Sequence, residues 1–427
     1  MRASKRHVED WLLQPPRGMN DWTPDKYYSL ITVASKLSRV AESFGYSAIE
    51  TPALEHFEVL KAKAGEEVIN EIYYLKDKAG RELGLRFDMT VPVARVLSYR
   101  RDFPRPIRLY YVSKVWRYDE PQFGRFREFY QFGVEHVGSP TVQSDAEVLA
   151  LAVKSLESVN LPQLTVKVSD RRIMDQLLDK MSISTARESV LRILDKRGKV
   201  TDDELIKLLI REGIDKTKAE SLVAIASTRT PIVNSTGELR ELGVGDDLIN
   251  YVESLVNALT DYGVLDRVYL DLSIVRGLDY YTGFVFELYT DKIKLAVGGG
   301  GRYDELLKVY SGEDVPAVGF AIGIERVMLA LSEEQGGVPP VDYYVYPMES
   351  SYYGMGVRIA EKLREIGLRV IVDVGKPSLR SALEYAARIK ARKFIIIGRR
   401  EVEKGVVRVR DLETWSEEDV PLDKILK

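Results

Sequence analysis

Between residues 25 and 44, DKYYSLITVASKLSRVAESF, the apolar side chains fall at Leu30, Val33, Ala34, Leu37 and Ala41. This three-and-four spacing predicts a helix with one buried face, and Gly45 ends it. YSAIETPAL then reads as a strand broken at Pro52. EIYYLKD and ELGLRF read as a hairpin about a Lys-Ala-Gly-Arg turn. Two longer segments, 106–120 and 124–138, are rich in Tyr, Phe and Val and are joined around Pro121, Gln122 and Phe123. Such side chains suit a pleated surface, so the pair predicts long antiparallel strands. DAEVLALAVKSLESV reads as an amphipathic helix and LTVKVSD as another strand.

From 171 to 262 the texture changes to amphipathic helical patterns with few aromatics, as in DELIKLLIREGI and LINYVESLVNALTDYG. That predicts a helical insertion. Strand texture resumes with RVYLDLSIVRGLDYYTGFVFELYT and KIKLAVGGGG, and AVGFAIGIERVMLALSE reads as a strand running into a helix. Gly and Pro mark a linker over 336–341. Strand and helix then alternate, which predicts a small α/β domain with parallel strands over 342–427. The expected organisation is α/β, with a main domain built from 1–170 and 263–335, interrupted by the insertion.

Composition narrows the chemistry. With 427 residues and 45% hydrophobic content the chain can bury a sizeable core. It has no cysteine, which excludes disulfides, thiolate nucleophiles and Cys-ligated metal. Its three histidines, His7, His56 and His136, leave little for a multi-histidine metal site, and no protein-bound metal is expected. No stretch approaches the roughly 20 apolar residues of a membrane helix, so a cytoplasmic protein with no membrane partner is expected. The net charge is −3, so contact with nucleic acid must come from local basic surface. Arg and Lys concentrate in 100–127 and 388–410.

The run LAVGGGGRYDELL, 295–307, invites a phosphate-loop reading, but Arg302 and Tyr303 stand where a Walker loop needs Lys and Ser or Thr. Antiparallel neighbours also argue against a dinucleotide turn. The glycines then serve a close backbone approach to a ligand, a bulge or a tight bend. Arg117 and Arg125 lie at the facing ends of the two long strands, and Arg276 and Arg326 add two more cations. Guanidinium forks suit the oxygens of a triphosphate. The alternative is that each arginine pairs with a nearby acid, such as Asp119 or Glu325. A polar set lies on strands that are otherwise apolar. It comprises Asp88 and Thr90, Gln131 and Glu135 four apart on one strand face, and Asp279, Tyr280 and Tyr281. These groups could read an ammonium and a heterocycle, or form a solvent-facing row.

Taken together, these segments resemble class II aminoacyl-tRNA synthetases, and within them the histidine–tRNA ligase family. FGYSAIETPALE is similar to motif 1, VSKVWRYDEPQFGRFREFYQFGVEHVG to motif 2 and AVGFAIGIERVMLAL to motif 3. IVRGLDYYTG and VGGGGRYDELL resemble the two histidine signatures, and the C-terminal segment resembles the anticodon-binding domain of several class II enzymes. The resemblance implies a class II antiparallel sheet flanked by helices, a homodimer, and ATP-dependent ligation of L-histidine to tRNA(His) through an adenylate, with MgATP as co-substrate. It implies that Arg117 and Arg276 act on the α-phosphate and that Arg125 and Arg326 grip the triphosphate. Asp88 and Gln131 would hold the histidine amino group, with Thr90 in the same pocket. Glu135, Tyr280, Tyr281 and Tyr303 would line the imidazole end, Gly299, Gly300 and Gly301 would form the pocket backbone, and Gln122 would face the tRNA acceptor end. Asp88 stands where many relatives carry Glu, which shortens its reach. A second reading is a non-catalytic, histidine-sensing regulatory subunit of ATP phosphoribosyltransferase. Such paralogues usually lack the C-terminal domain and the arginines.

Overall fold

The computed structural model describes residues 10–62, 66–183, 186–197, 200–274, 281–331, 336–375 and 378–426. The chain divides into two compact units, Met1–Gly336 and Gly337–Lys427.

The first unit is built on a nine-stranded sheet. Its strands are β1 (Ser47–Ala48), β2 (Ile107–Trp116), β3 (Glu128–Val137), β4 (Thr165–Asp170), β5 (Arg229–Pro231), β6 (Val268–Asp271), β7 (Phe284–Thr290), β8 (Ile293–Arg302) and β9 (Ala317–Gly323). Their spatial order is β1-β2-β3-β9-β8-β7-β4-β6-β5. The run from β2 to β4 is antiparallel throughout, and β1 joins β2 in parallel. The long hairpin expected over 106–138 is β2 paired with β3, from Ile107↔Val137 to Trp116↔Glu128. The glycine run lies in β8, at the middle of the sheet.

Side-chain alternation gives the sheet two different faces. On one, Phe132, Val134, Phe286, Val318 and Phe320 share a core with Leu30, Val33 and Leu37 of the helix Pro24–Ser43 and with the helix Val142–Ser158. On the other, Tyr111, Val115, Val137, Val285 and Ala317 pack with Val93, Ala94 and Leu97 of the helix Thr90–Tyr99 and with Leu306 and Leu307. The remainder of that second face is lined by a cleft.

Helices fill most of 171–261, and their apolar faces join the same core as the sheet, as Leu205, Leu222 and Leu255 illustrate. The expectation of a purely helical insertion misses β5, which pairs antiparallel with β6. Its three residues are too few to show alternation, and Pro231 is tolerated because β5 is an edge strand.

In the second unit β10 (Tyr343–Pro347) pairs in parallel with β11 (Val370–Val372) and β12 (Lys393–Ile397), as the strand–helix alternation predicts. Two antiparallel strands that the pattern does not announce complete the sheet, β13 (Val406–Asp411) and β14 (Glu417–Pro421).

Candidate active site

The cleft gathers residues from four separate stretches. Asp88 and Thr90 come from the segment before and at the start of the helix Thr90–Tyr99. Arg117, Asp119, Arg125, Phe129 and Gln131 come from the β2–β3 hairpin, Tyr281, Gly299 and Tyr303 from around β7 and β8, and Glu325 and Arg326 from the turn after β9. The sheet register makes this convergence possible. Gln131 lies opposite Gly323 and Glu135 opposite Gly319, so the polar side chains of β3 meet no competing side chain on β9.

Three arginines line the cleft. Arg117 donates from Nε to the carbonyl of Phe87 at 2.9 Å, and its guanidinium sits 5.4 Å from the centre of the Phe129 ring. It has no acidic partner among the described residues. Arg326 donates from Nε to the Gly124 carbonyl at 2.8 Å and from Nη1 to the Ala296 carbonyl at 2.9 Å. Arg125 follows the pairing alternative, at 3.1 Å from Asp119 Oδ2. That pair is partly exposed, so it holds the loop without cancelling the positive character of the cleft.

The polar set lies deeper. Glu135 is almost wholly buried and accepts from Thr90 Oγ1 at 2.8 Å, from Tyr111 OH at 3.3 Å and from Tyr303 OH. Burial pushes its carboxyl up to about 8, against the hydroxyls of Tyr303 and Thr90, which pull it down. Asp88 accepts the Val91 N–H at 3.2 Å, which ties it to the first turn of its helix. Gln131 Oε1 is buried and has no partner among the described residues.

The glycines behave unequally. Gly299 lies on the cleft side, paired with Ala321 and Glu287. A Cβ there would come within 2.8 Å of the Phe286 carbonyl. Gly301 shares that side but sits under Tyr281, whose ring carbons would be 2.9 and 3.0 Å from an added Cβ. Gly300 points the other way, where an added Cβ would be 2.1 Å from the Gly319 carbonyl and 2.6 Å from Phe320 Cβ. Gly300, expected in the pocket backbone, is corrected to a core-facing position, where a side chain would break the sheet core.

Gln122 is exposed at the hairpin tip, bridged to Arg125 by backbone bonds, and does not line the cleft. Arg276, Asp279 and Tyr280 lie outside the described residues. Sequence reading missed Tyr111, a buried ring whose hydroxyl supports Glu135 at 3.3 Å and for which Gly133 opposite it leaves room. The usable signal was an aromatic hydroxyl on the strand face shared with Val115, paired to a glycine. It also missed Arg302, discussed below.

The basic segment 388–410 is only partly free. Arg392 pairs with Asp342 at 3.0 Å, Arg408 with Asp419 at 3.1 Å, and Arg410 with Glu417. Arg388, Lys390, Arg400 and Lys404 are exposed and have no acidic partner among the described residues.

An antiparallel sheet carrying arginines on a motif 2 hairpin and a motif 3 helix is the catalytic fold of a class II aminoacyl-tRNA synthetase. Two solved structures share it. Histidyl-tRNA synthetase from Nostoc sp. PCC 7120 matches with a TM-score of 0.81 at 26% identity, over 96% of this chain and 97% of that one. A protein described as an ATP phosphoribosyltransferase regulatory subunit/histidyl-tRNA synthetase from Bacillus halodurans C matches with a TM-score of 0.76 at 26% identity, over 88% and 96%. The family profile described as Histidyl-tRNA synthetase matches residues 18–327, and that of an Anticodon binding domain matches 342–427. A histidine–tRNA ligase from Pyrobaculum islandicum is 50% identical over 422 residues, 98% of each chain. The chain belongs to the histidyl-tRNA synthetase family.

Proposed function

We infer that the protein joins L-histidine to tRNA(His) in two steps, with MgATP as co-substrate and a histidyl-adenylate between them. The observation that carries this reading is the cleft that Arg117, Arg125 and Arg326 share with Asp88, Thr90 and Gln131. The histidine carboxylate attacks the α-phosphorus and pyrophosphate leaves in line. Charge grows on the phosphoryl oxygens, and Arg117, with terminal nitrogens that have no acidic partner among the described residues, supplies donors for it. Arg276, outside the described residues, is assigned to the same phosphate by the resemblance of IVRGLDYYTG to the family signature. Arg125 and Arg326 hold the rest of the triphosphate. Arg125 exchanges Asp119 for phosphate as ATP binds.

Gln131 Oε1 accepts a hydrogen bond from the histidine ammonium, and Asp88 supplies the counter-charge. Glu135, Tyr281 and Tyr303 read the imidazole, and the family signature assigns Tyr280, outside the described residues, to the same task. A pocket that hydrogen-bonds both ring nitrogens rejects analogues by roughly 10⁴–10⁵ without an editing site. The tRNA acceptor end then meets Gln122 at the hairpin tip, and Arg388, Lys390, Arg400 and Lys404 face the anticodon side. The enzyme works as a cytoplasmic homodimer. A purely regulatory role would leave the three cleft arginines and the C-terminal unit unexplained. Pyrophosphate exchange tests the reading directly. Arg117→Ala lowers exchange by ~10²–10³, and an unchanged rate would refute the assignment.

A further inference from the structure

Glu325 is an acid lining a cleft read here as a triphosphate site, directly beside Arg326. A carboxylate there opposes ATP by like charge, so its placement calls for a reason. The hydrogen bonds supply one. The β3–β9 ladder ends at Gln131↔Gly323, where β9 turns into the helix Ile324–Ala330. The next N–H of β3, that of Tyr130, therefore has no strand to meet. Glu325 meets it instead, accepting from Tyr130 N at 2.9 Å on Oε1 and 3.0 Å on Oε2. The side chain is buried, and burial pushes its carboxyl up to about 7, against the Tyr130 N–H, which pulls it down.

The neighbours on each side of this contact are the two ends of the cleft. Gln131 follows Tyr130 in the chain, and Arg326 follows Glu325. Arg326 in turn holds the Gly124 carbonyl in the hairpin loop and the Ala296 carbonyl at the entry to the glycine run. One helical turn thus fastens β3, the β2–β3 loop and β8.

We propose that Glu325 is a positioning residue that fixes the amino-group end of the cleft, at Gln131, to the triphosphate end, at Arg326. Both oxygens of its carboxylate are engaged by the Tyr130 N–H, and it acts through that contact. The inference rests on the substrate assignments of Gln131 and Arg326 given above.

The test is steady-state pyrophosphate exchange, with active-site titration to count competent enzyme. Glu325→Ala leaves the Tyr130 N–H unmet, and the KM values for histidine and for ATP both rise about tenfold, since a slight misplacement of substrate-positioning groups is costly. Glu325→Gln keeps one acceptor oxygen and recovers most of both losses. If Glu325→Ala does not fold, Glu325→Gln decides alone, with both KM values raised about threefold as one of two bonds is lost. Gln131→Ala and Arg326→Ala run alongside. They raise the KM of histidine only and of ATP only. If those two divide as assigned while the Glu325 variants move one KM or neither, the coupling is overturned. If they do not divide, the substrate assignments fall first and the inference with them.

Discussion

Arg302 and Asp145 form a buried ion pair, Nη2 to Oδ1 at 2.7 Å, between the last residue of β8 and the helix Val142–Ser158. Arg302 follows the four glycines, and its guanidinium also reaches Asp304, Ser144 Oγ and the Ser139 carbonyl. Tyr251, from the helix Asp246–Asp261, donates to the other oxygen of Asp145 at 2.7 Å. One carboxylate thus ties the substrate strand to two helices, one of them in the insertion.

Removing one partner of such a pair strands a buried charge. Asp145→Ala is expected to cost about 3–5 kcal/mol of stability. Thermal denaturation measures it, and a loss under about 1 kcal/mol, the range of exposed pairs, would contradict the role given to the pair.

Gly299 and Gly300 separate pocket from core. Gly299→Val puts a branched side chain on the cleft side, so exchange activity is lost, and its Cβ, 2.8 Å from the Phe286 carbonyl, adds a loss of stability smaller than that at Gly300. Gly300→Val drives its Cβ into the Gly319 carbonyl and Phe320, so the chain loses stability by several kcal/mol. Melting temperature and exchange rate on both variants check this. Equal destabilisation of the two would show that the strand faces are misassigned.

Glu135 makes the fold sensitive to pH. Folded, it keeps its proton to about pH 8, whereas unfolded it releases it near the ordinary carboxylate value. Between those values the folded state binds the extra proton, so stability falls as pH rises through this window. Glu135→Gln cannot titrate, and its stability profile from pH 5 to 8 is flatter than that of the parent. Urea unfolding across the window reads this, and parallel profiles would refute it.

The basic segment divides by pairing. Neutralising Arg388, Lys390, Arg400 and Lys404 together is expected to raise the KM for tRNA and leave pyrophosphate exchange intact. Neutralising Arg408 and Arg410, which face Asp419 and Glu417, changes stability more than tRNA affinity. Aminoacylation kinetics distinguish the two sets, and the reverse outcome would move the tRNA surface elsewhere.

Much of the architecture was written in local patterns. The helix expected over 25–44 is Pro24–Ser43, and the aromatic segments around Gln122 form the longest hairpin of the sheet. Arg117, Arg125, Arg326, Asp88, Thr90, Gln131, Tyr281, Tyr303 and Gly299 meet in one cleft, as the motifs imply. Two things resisted. Four glycines in a row carry no side chains, so alternation cannot say which of them faces the ligand, and only the pairing of Gly299 with Ala321 and Gly300 with Phe320 decides it. The partner of Arg302 lies 157 residues away, and no local spacing singles out Asp145 from the other acids.

The central claim is that this cleft activates histidine. Pyrophosphate exchange into ATP, run with each amino acid in turn, tests it most directly. The account predicts exchange with histidine and with no other amino acid. Exchange with none, or equal exchange with a different amino acid, would contradict it.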